Sequence, residues 1–168
     1  MTDLEFYKDI FDRDYERKNY FEGVINLPLG IITLIVGSTS FMIKDYCFSF
    51  KSLETYILIL LAFALLTSIF YLAHTYNNFL AGFNYENYPE TKALRKYQLD
   101  LEQYEKDSDL DHGKEFERYL IENYVSMSDK NRETNTQRLL SLYKAKAALI
   151  GSILFFFALS IKFIIDIL

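Results

Sequence analysis

Apolar and polar positions along this chain are sorted into long blocks. Three stretches, 24–43, 55–76 and 147–168, are almost continuously apolar, while the residues around them are densely charged. Each stretch has about 20 residues, enough at 1.5 Å per residue to cross a hydrocarbon layer of about 30 Å. A helix that is apolar on every face over this length belongs in lipid or deep inside a large protein. The pattern predicts three membrane-spanning helices.

The polar blocks carry a different period. In residues 1–22, Leu4, Phe6, Tyr7, Ile10, Phe11 and Tyr15 recur at helical spacing on a charged background. This predicts an amphipathic helix lying on the bilayer or on other helices. Residues 77–144 hold a second stripe, Ala93, Leu94, Tyr97, Leu101 and Tyr104, with Pro89 at a first-turn position. "DSDLDHG" then reads as a turn, and Phe116, Tyr119, Leu120 and Tyr124 resume the helical pattern. Ser126 and Asp129 have capping-box spacing, which predicts a new helix start. From there no proline or glycine intervenes before Gly151. The expected fold is an all-α membrane protein: a cytoplasmic amphipathic helix (1–22), a two-helix transmembrane hairpin (23–76), a helical cytoplasmic region between spans two and three (77–144), and a third transmembrane helix continuous with it (145–168).

Composition sharpens this picture in two places. Mean hydropathy is near zero although 24% of residues are charged, so the two kinds must be segregated. The N-terminal segment lacks the apolar centre of a cleavable signal, so the first span is expected to direct insertion. Basic residues set the orientation. The loop between spans one and two holds only Lys44 and Lys51, whereas ten basic residues lie from Lys92 to Lys144. The expectation is therefore an N-terminus in the cytoplasm and a C-terminus outside. The single cysteine, Cys47, allows neither an intrachain disulfide nor a metal cluster.

Candidate chemistry begins in the first span. Gly23, Gly30 and Gly37 recur every seven residues, and Asn26, Thr33 and Ser40 follow three positions behind each. Seven residues advance a helix by almost two turns, so both tracks run nearly straight along one side. Small residues allow close helix approach in lipid, and amides or hydroxyls hydrogen-bond across the contact. Two readings stand: a packing seam against another span, or a polar track facing a water-filled path in an oligomer. In span two, Thr67, Tyr71, His74 and Asn78 share a face. His74 is either an ordinary hydrogen-bonded histidine or a titrating group. In span three, Lys162 and Asp166 are four apart and can pair, either as a snorkelling local ion pair or at a pore mouth.

"SDKNRETNTQRLL" is the most distinctive polar stretch. Asn131, Asn135 and Arg138 share a face, with Arg132 beside it. Amides and guanidinium groups can read bases or phosphates, and Tyr119 or Tyr124 could stack on bases. The plain alternative is a polar face packed on its neighbours. Phosphate-loop, zinc-protease and nucleophile-elbow motifs are absent, and the aspartates of "DSDLDHG" do not meet the EF-hand pattern. No catalytic residue, metal ligand or cofactor is expected, and the chain does not read as an enzyme.

Two spans joined by a short loop, cytoplasmic helices and the Asn131–Asn135–Arg138 stretch resemble small membrane effectors of bacterial anti-phage systems. These include SLATT-type two-span effectors and the membrane partner of Hailong-type systems, which pairs with a nucleotidyltransferase. The third span departs from the two-span layout. The resemblance implies a homo-oligomer in a bacterial inner membrane that permeabilises it in answer to a nucleotide or oligonucleotide signal made by that partner. One chain has too few spans to enclose a pore, so a closed ring of subunits, for instance a tetramer, would form the gated ion-conducting path. On this reading the amides and guanidinium groups of Asn131, Arg132, Asn135 and Arg138, with the ring of Tyr124, are the expected ligand-binding residues. A non-conducting membrane scaffold that recruits a cytoplasmic partner is the alternative.

Overall fold

The computed structural model describes residues 2–44, 52–77, 85–105 and 111–167, without the side chains of residues 77, 105, 166 and 167. The readings placed on Cys47, Asn78 and Asp166 therefore lie outside the described residues. The helices are α1 (Asp3–Val24), α2 (Asn26–Ile43), α3 (Leu53–Asn77), α4 (Thr91–Glu105) and α5 (His112–Ile167), and no strand occurs among the described residues.

Helix ends follow local chemistry. α1 starts with a reciprocal capping box: the Thr2 amide donates to Glu5 Oε2 (3.0 Å) and the Glu5 amide to Thr2 Oγ1 (3.3 Å). α1 and α2 are separated only by Ile25, which keeps helical dihedrals (φ −70°, ψ −27°). Pro28 explains the interruption. It has no N–H for the Val24 carbonyl, and its ring would crowd that oxygen in a continuous helix. The first bond of α2 is instead from the Leu29 amide to the Ile25 carbonyl, 3.2 Å. At the head of α4 the Glu90 carbonyl accepts from Ala93 (2.9 Å) and Leu94 (3.1 Å), so Pro89 sits just before the helix and not in its first turn. Asp111 caps α5, its Oδ1 accepting from the Lys114 amide at 3.2 Å. The Lys114 side chain holds the Asp111 carboxyl below the usual aspartate range.

α5 is unbroken over 56 residues. Two expectations change as a result. Gly113 belongs to the first turn of the helix and not to the preceding turn. Ser126 and Asp129 do not start a helix: a capping box acts only where amides lack carbonyl partners, and the preceding turn supplies them here.

The chain forms two compact units, one from Met1–Lys18 with Phe83–Thr136, the other from Asn19–Gly82 with Gln137–Leu168. In the first unit, Phe11, Tyr124 and Met127 make the core, flanked by Leu4, Tyr7, Tyr15, Tyr88 and Leu120. Leu4, Tyr7, Phe11 and Tyr15 of the α1 stripe are thus packed on α5 and the segment before α4, while Phe6 stays exposed. Its rings are closely set: Tyr88 and Tyr124 have centroids 4.9 Å apart, and Phe11 lies 5.6 Å from Tyr124. On α4, Tyr97 packs on Tyr119 at 4.2 Å.

The second unit is a bundle of α2, α3 and the C-terminal part of α5, around Ile25, Ile32, Ile35, Leu61, Leu65, Leu72, Leu142, Ala145, Leu149 and Leu159. Small residues sit where helices meet. Ser68 and Ala145 are fully buried, and the Ser68 hydroxyl donates to the Ala145 carbonyl at 3.0 Å. This is the contact type expected in lipid, where helices associate through close packing and hydrogen bonds. Large apolar side chains point outward, including Leu34, Phe41, Phe63, Leu66, Leu154 and Ile165. At most 28% of the apolar stretch of any of the three helices is covered by the rest of the chain. All three are long and apolar enough to cross a membrane.

Candidate functional site

Within the first unit, Asn131 and Asn135 lie one turn apart on α5 and are buried, at 0% and 3% exposure. Asn131 grips the Glu86 backbone at two points: the Glu86 amide donates to Asn131 Oδ1 (2.9 Å), and Asn131 Nδ2 donates to the Glu86 carbonyl (3.2 Å). A side-chain amide matches the donor and acceptor of a peptide group, which is why asparagine serves here. Asn135 Nδ2 donates to the Asp14 carbonyl (2.7 Å), and its Oδ1 accepts from the Tyr85 hydroxyl (2.6 Å). Lys130 pairs with the Glu86 carboxylate. Arg132 Nε stands 3.6 Å from the buried carboxylate of Asp14.

Tyr124, one of the expected ligand residues, is buried against Tyr88 and Phe11. Burial first, and then a hydrogen bond with Tyr88, raise its phenol above the ordinary tyrosine range. Tyr119 packs against Tyr97 with its ring tilted by 37°. The face read as open to nucleotides is therefore closed in this structure, with both amides engaged by the chain's own α1 and 85–86 segment.

Within the second unit, Arg138 is buried at 2% exposure. Its Nε donates to the Thr75 carbonyl at 2.8 Å and Nη2 to the Tyr76 carbonyl at 3.3 Å. Its guanidinium carbon lies 4.9 Å from the centre of the Phe21 ring. Carbonyls at a helix C-terminus carry partial negative charge and lack intrahelical donors. Arg138 is a cap on α3. His74 shares a hydrogen bond with Ser141, 2.9 Å.

The two tracks of the first span lie on the outside of the second unit. Gly23, Asn26, Gly30, Thr33, Gly37 and Ser40 are all exposed. A methyl group added at Gly23, Gly30 or Gly37 would meet nothing within 4 Å. The inward side of α2 is the other one, with Pro28, Ile32, Ile35 and Thr39 buried. The seam is thus not made against another span of the same chain. Thr33 Oγ1 donates to the Leu29 carbonyl (2.9 Å) and Ser40 Oγ to the Val36 carbonyl (2.8 Å). With those protons engaged, the outward atoms of the two hydroxyls are acceptors.

Lys162 Nζ lies 3.4 Å from Glu54 Oε1 in the first turn of α3, a pairing between helices that the sequence reading did not name; the expected pairing with Asp166 lies outside the described residues. Neither Glu54 nor Asp14 stood out in the sequence, because nothing local to either residue names a partner far along the chain. Groups of three or more His, Cys, Asp or Glu able to hold a metal are absent among the described residues. Comparison with protein-family models, with curated proteins and with solved structures gives no match.

Proposed function

We propose that this chain is a three-span membrane protein that assembles with copies of itself into a gated ion-conducting pore, with the Asn26–Thr33–Ser40 track of α2 turned toward the shared axis. One observation carries the reading: the glycine and polar tracks are exposed on the second unit while the opposite side of α2 is packed. Three helices of one chain are too few to enclose an aqueous path, so a closed ring of subunits supplies the wall. Glycines let neighbouring helices approach closely. The hydroxyl oxygens on the adjacent track, with their protons engaged, suit water and cations.

On this proposal the N-terminus and the segment between spans two and three are cytoplasmic, following the distribution of lysine and arginine. A nucleotide or oligonucleotide signal, as in anti-phage effectors, is the gating ligand. To reach Asn131 and Asn135 it would have to displace Glu86, Tyr85 and Asp14 from them, so signal binding and the closed first unit would exclude one another. Such a ligand shifts the pore only through different affinities for the two states.

Ion flux from liposomes tests the proposal. The protein should pass cations under at least one candidate nucleotide condition, and Asn26→Leu or Thr33→Val should alter that flux while the protein still inserts. Silence under every ligand, with correct insertion, would overturn the pore and favour the scaffold.

A further inference from the structure

Two grooves on the second unit have nearly equal volume and similar apolar walls, but opposite charge at the rim. One, of about 270 Å³, runs between α2 and α5 along Val24, Pro28, Ile31, Leu149 and Ile153, with Lys146 at its end. The other, of about 280 Å³, lies between α2 and α3 and has Glu22 at its rim and no cation in its lining. The two lysines nearest in kind are engaged within the chain: Lys144 lies over the Tyr71 ring at 5.4 Å, and Lys162 faces Glu54. Lys146 is exposed and makes no ion pair among the described residues. It also stands just before the apolar block 147–168, where the polar and apolar parts of a lipid would divide.

We propose that the α2–α5 groove binds an anionic phospholipid of the surrounding bilayer. Its phosphate sits on Lys146 and an acyl chain runs along Leu149, Ile153 and Ile31. A long aliphatic chain fits the apolar walls, and the ammonium group at the membrane boundary selects negative headgroups. The groove across α2, lined by Asn26 and with Glu22 at its rim, would not select an anionic lipid, because Glu22 repels an anion. This inference rests on the membrane-spanning part of the proposed function, and not on conduction.

The chain contains no tryptophan, so a single introduced one reports on its own surroundings. Ile150→Trp places the reporter in the α2–α5 groove and Ile69→Trp in the other; both positions are exposed enough to accept it. Each variant is reconstituted in phosphatidylcholine vesicles with either brominated phosphatidylglycerol or brominated phosphatidylcholine as quencher. The Ile150→Trp protein should prefer the anionic lipid about five-fold, the ratio expected for one lysine at the surface. Adding Lys146→Gln should abolish the preference, and Ile69→Trp should show none. Equal quenching by both lipids, a preference that survives Lys146→Gln, or the same preference at Ile69 would overturn the site. If neither reporter is quenched by any brominated lipid, the membrane-spanning reading fails with it.

Discussion

Asn135 and Tyr124 show how one side chain can serve two chemistries. Each could meet a nucleotide, the first by hydrogen bonding and the second by stacking, and each is instead engaged inside the first unit. The Tyr124 phenol has a titration consequence. Its folded-state pKa lies above the ordinary value of 10.0, because burial and Tyr88 favour the neutral form. The unfolded chain therefore releases this proton at lower pH than the folded one. The associated stability is fully present below pH 10 and declines as pH rises above that value. Alkaline titration of detergent-solubilised protein, followed by phenolate absorbance and circular dichroism, should show late ionisation of one tyrosine coupled to loss of structure. Tyr124→Phe should remove that late step. A Tyr124 that ionises with the exposed tyrosines would contradict its buried placement.

At the scale of elements, Arg138 joins α5 to the end of α3. It reaches the Thr75 and Tyr76 carbonyls from a position at 2% exposure. Arg138→Ala removes charged donors from buried acceptors and should lower stability by about 2–3 kcal/mol in thermal or denaturant unfolding. Arg138→Lys should recover only part of this, because a lysine is a point charge without the planar fork. No loss in Arg138→Ala would mean that the α3 terminus is satisfied by other donors. The sequence announced the three apolar elements plainly, since a 20-residue apolar run has few soluble explanations. It also marked Asn131, Asn135 and Arg138 as sharing a face. What it could not convey was that face's partners, because most are main-chain groups: the Glu86 amide and carbonyl, and the carbonyls of Asp14, Thr75 and Tyr76. Main-chain groups are the same at every residue and leave no mark in composition. The Lys162–Glu54 pair was hidden for a related reason: a nearer carboxylate, Asp166, satisfied the local spacing rule. Ser126 and Asp129 misled because capping spacing also occurs by chance within a long helix.

At the scale of the whole molecule, the proposal of assembly rests on what the second unit leaves exposed. It turns a glycine track, a polar track and a broad apolar surface outward from a three-helix bundle. Lipid can cover the apolar surface. The two tracks of α2 are better matched to another copy of the same helix, where glycines allow approach and the polar atoms meet water or one another. The account therefore stands on where Thr33 lies in the assembled protein. In a chain whose native Cys47 is replaced by serine, Thr33→Cys and, separately, Phe63→Cys on the outward face of α3 can be oxidised in native membranes. Thr33→Cys should form covalent dimers between copies and Phe63→Cys should not. Thr33→Cys protein that remains monomeric under oxidation, while labelling readily with lipid-phase thiol reagents, would contradict the shared axis and the pore with it.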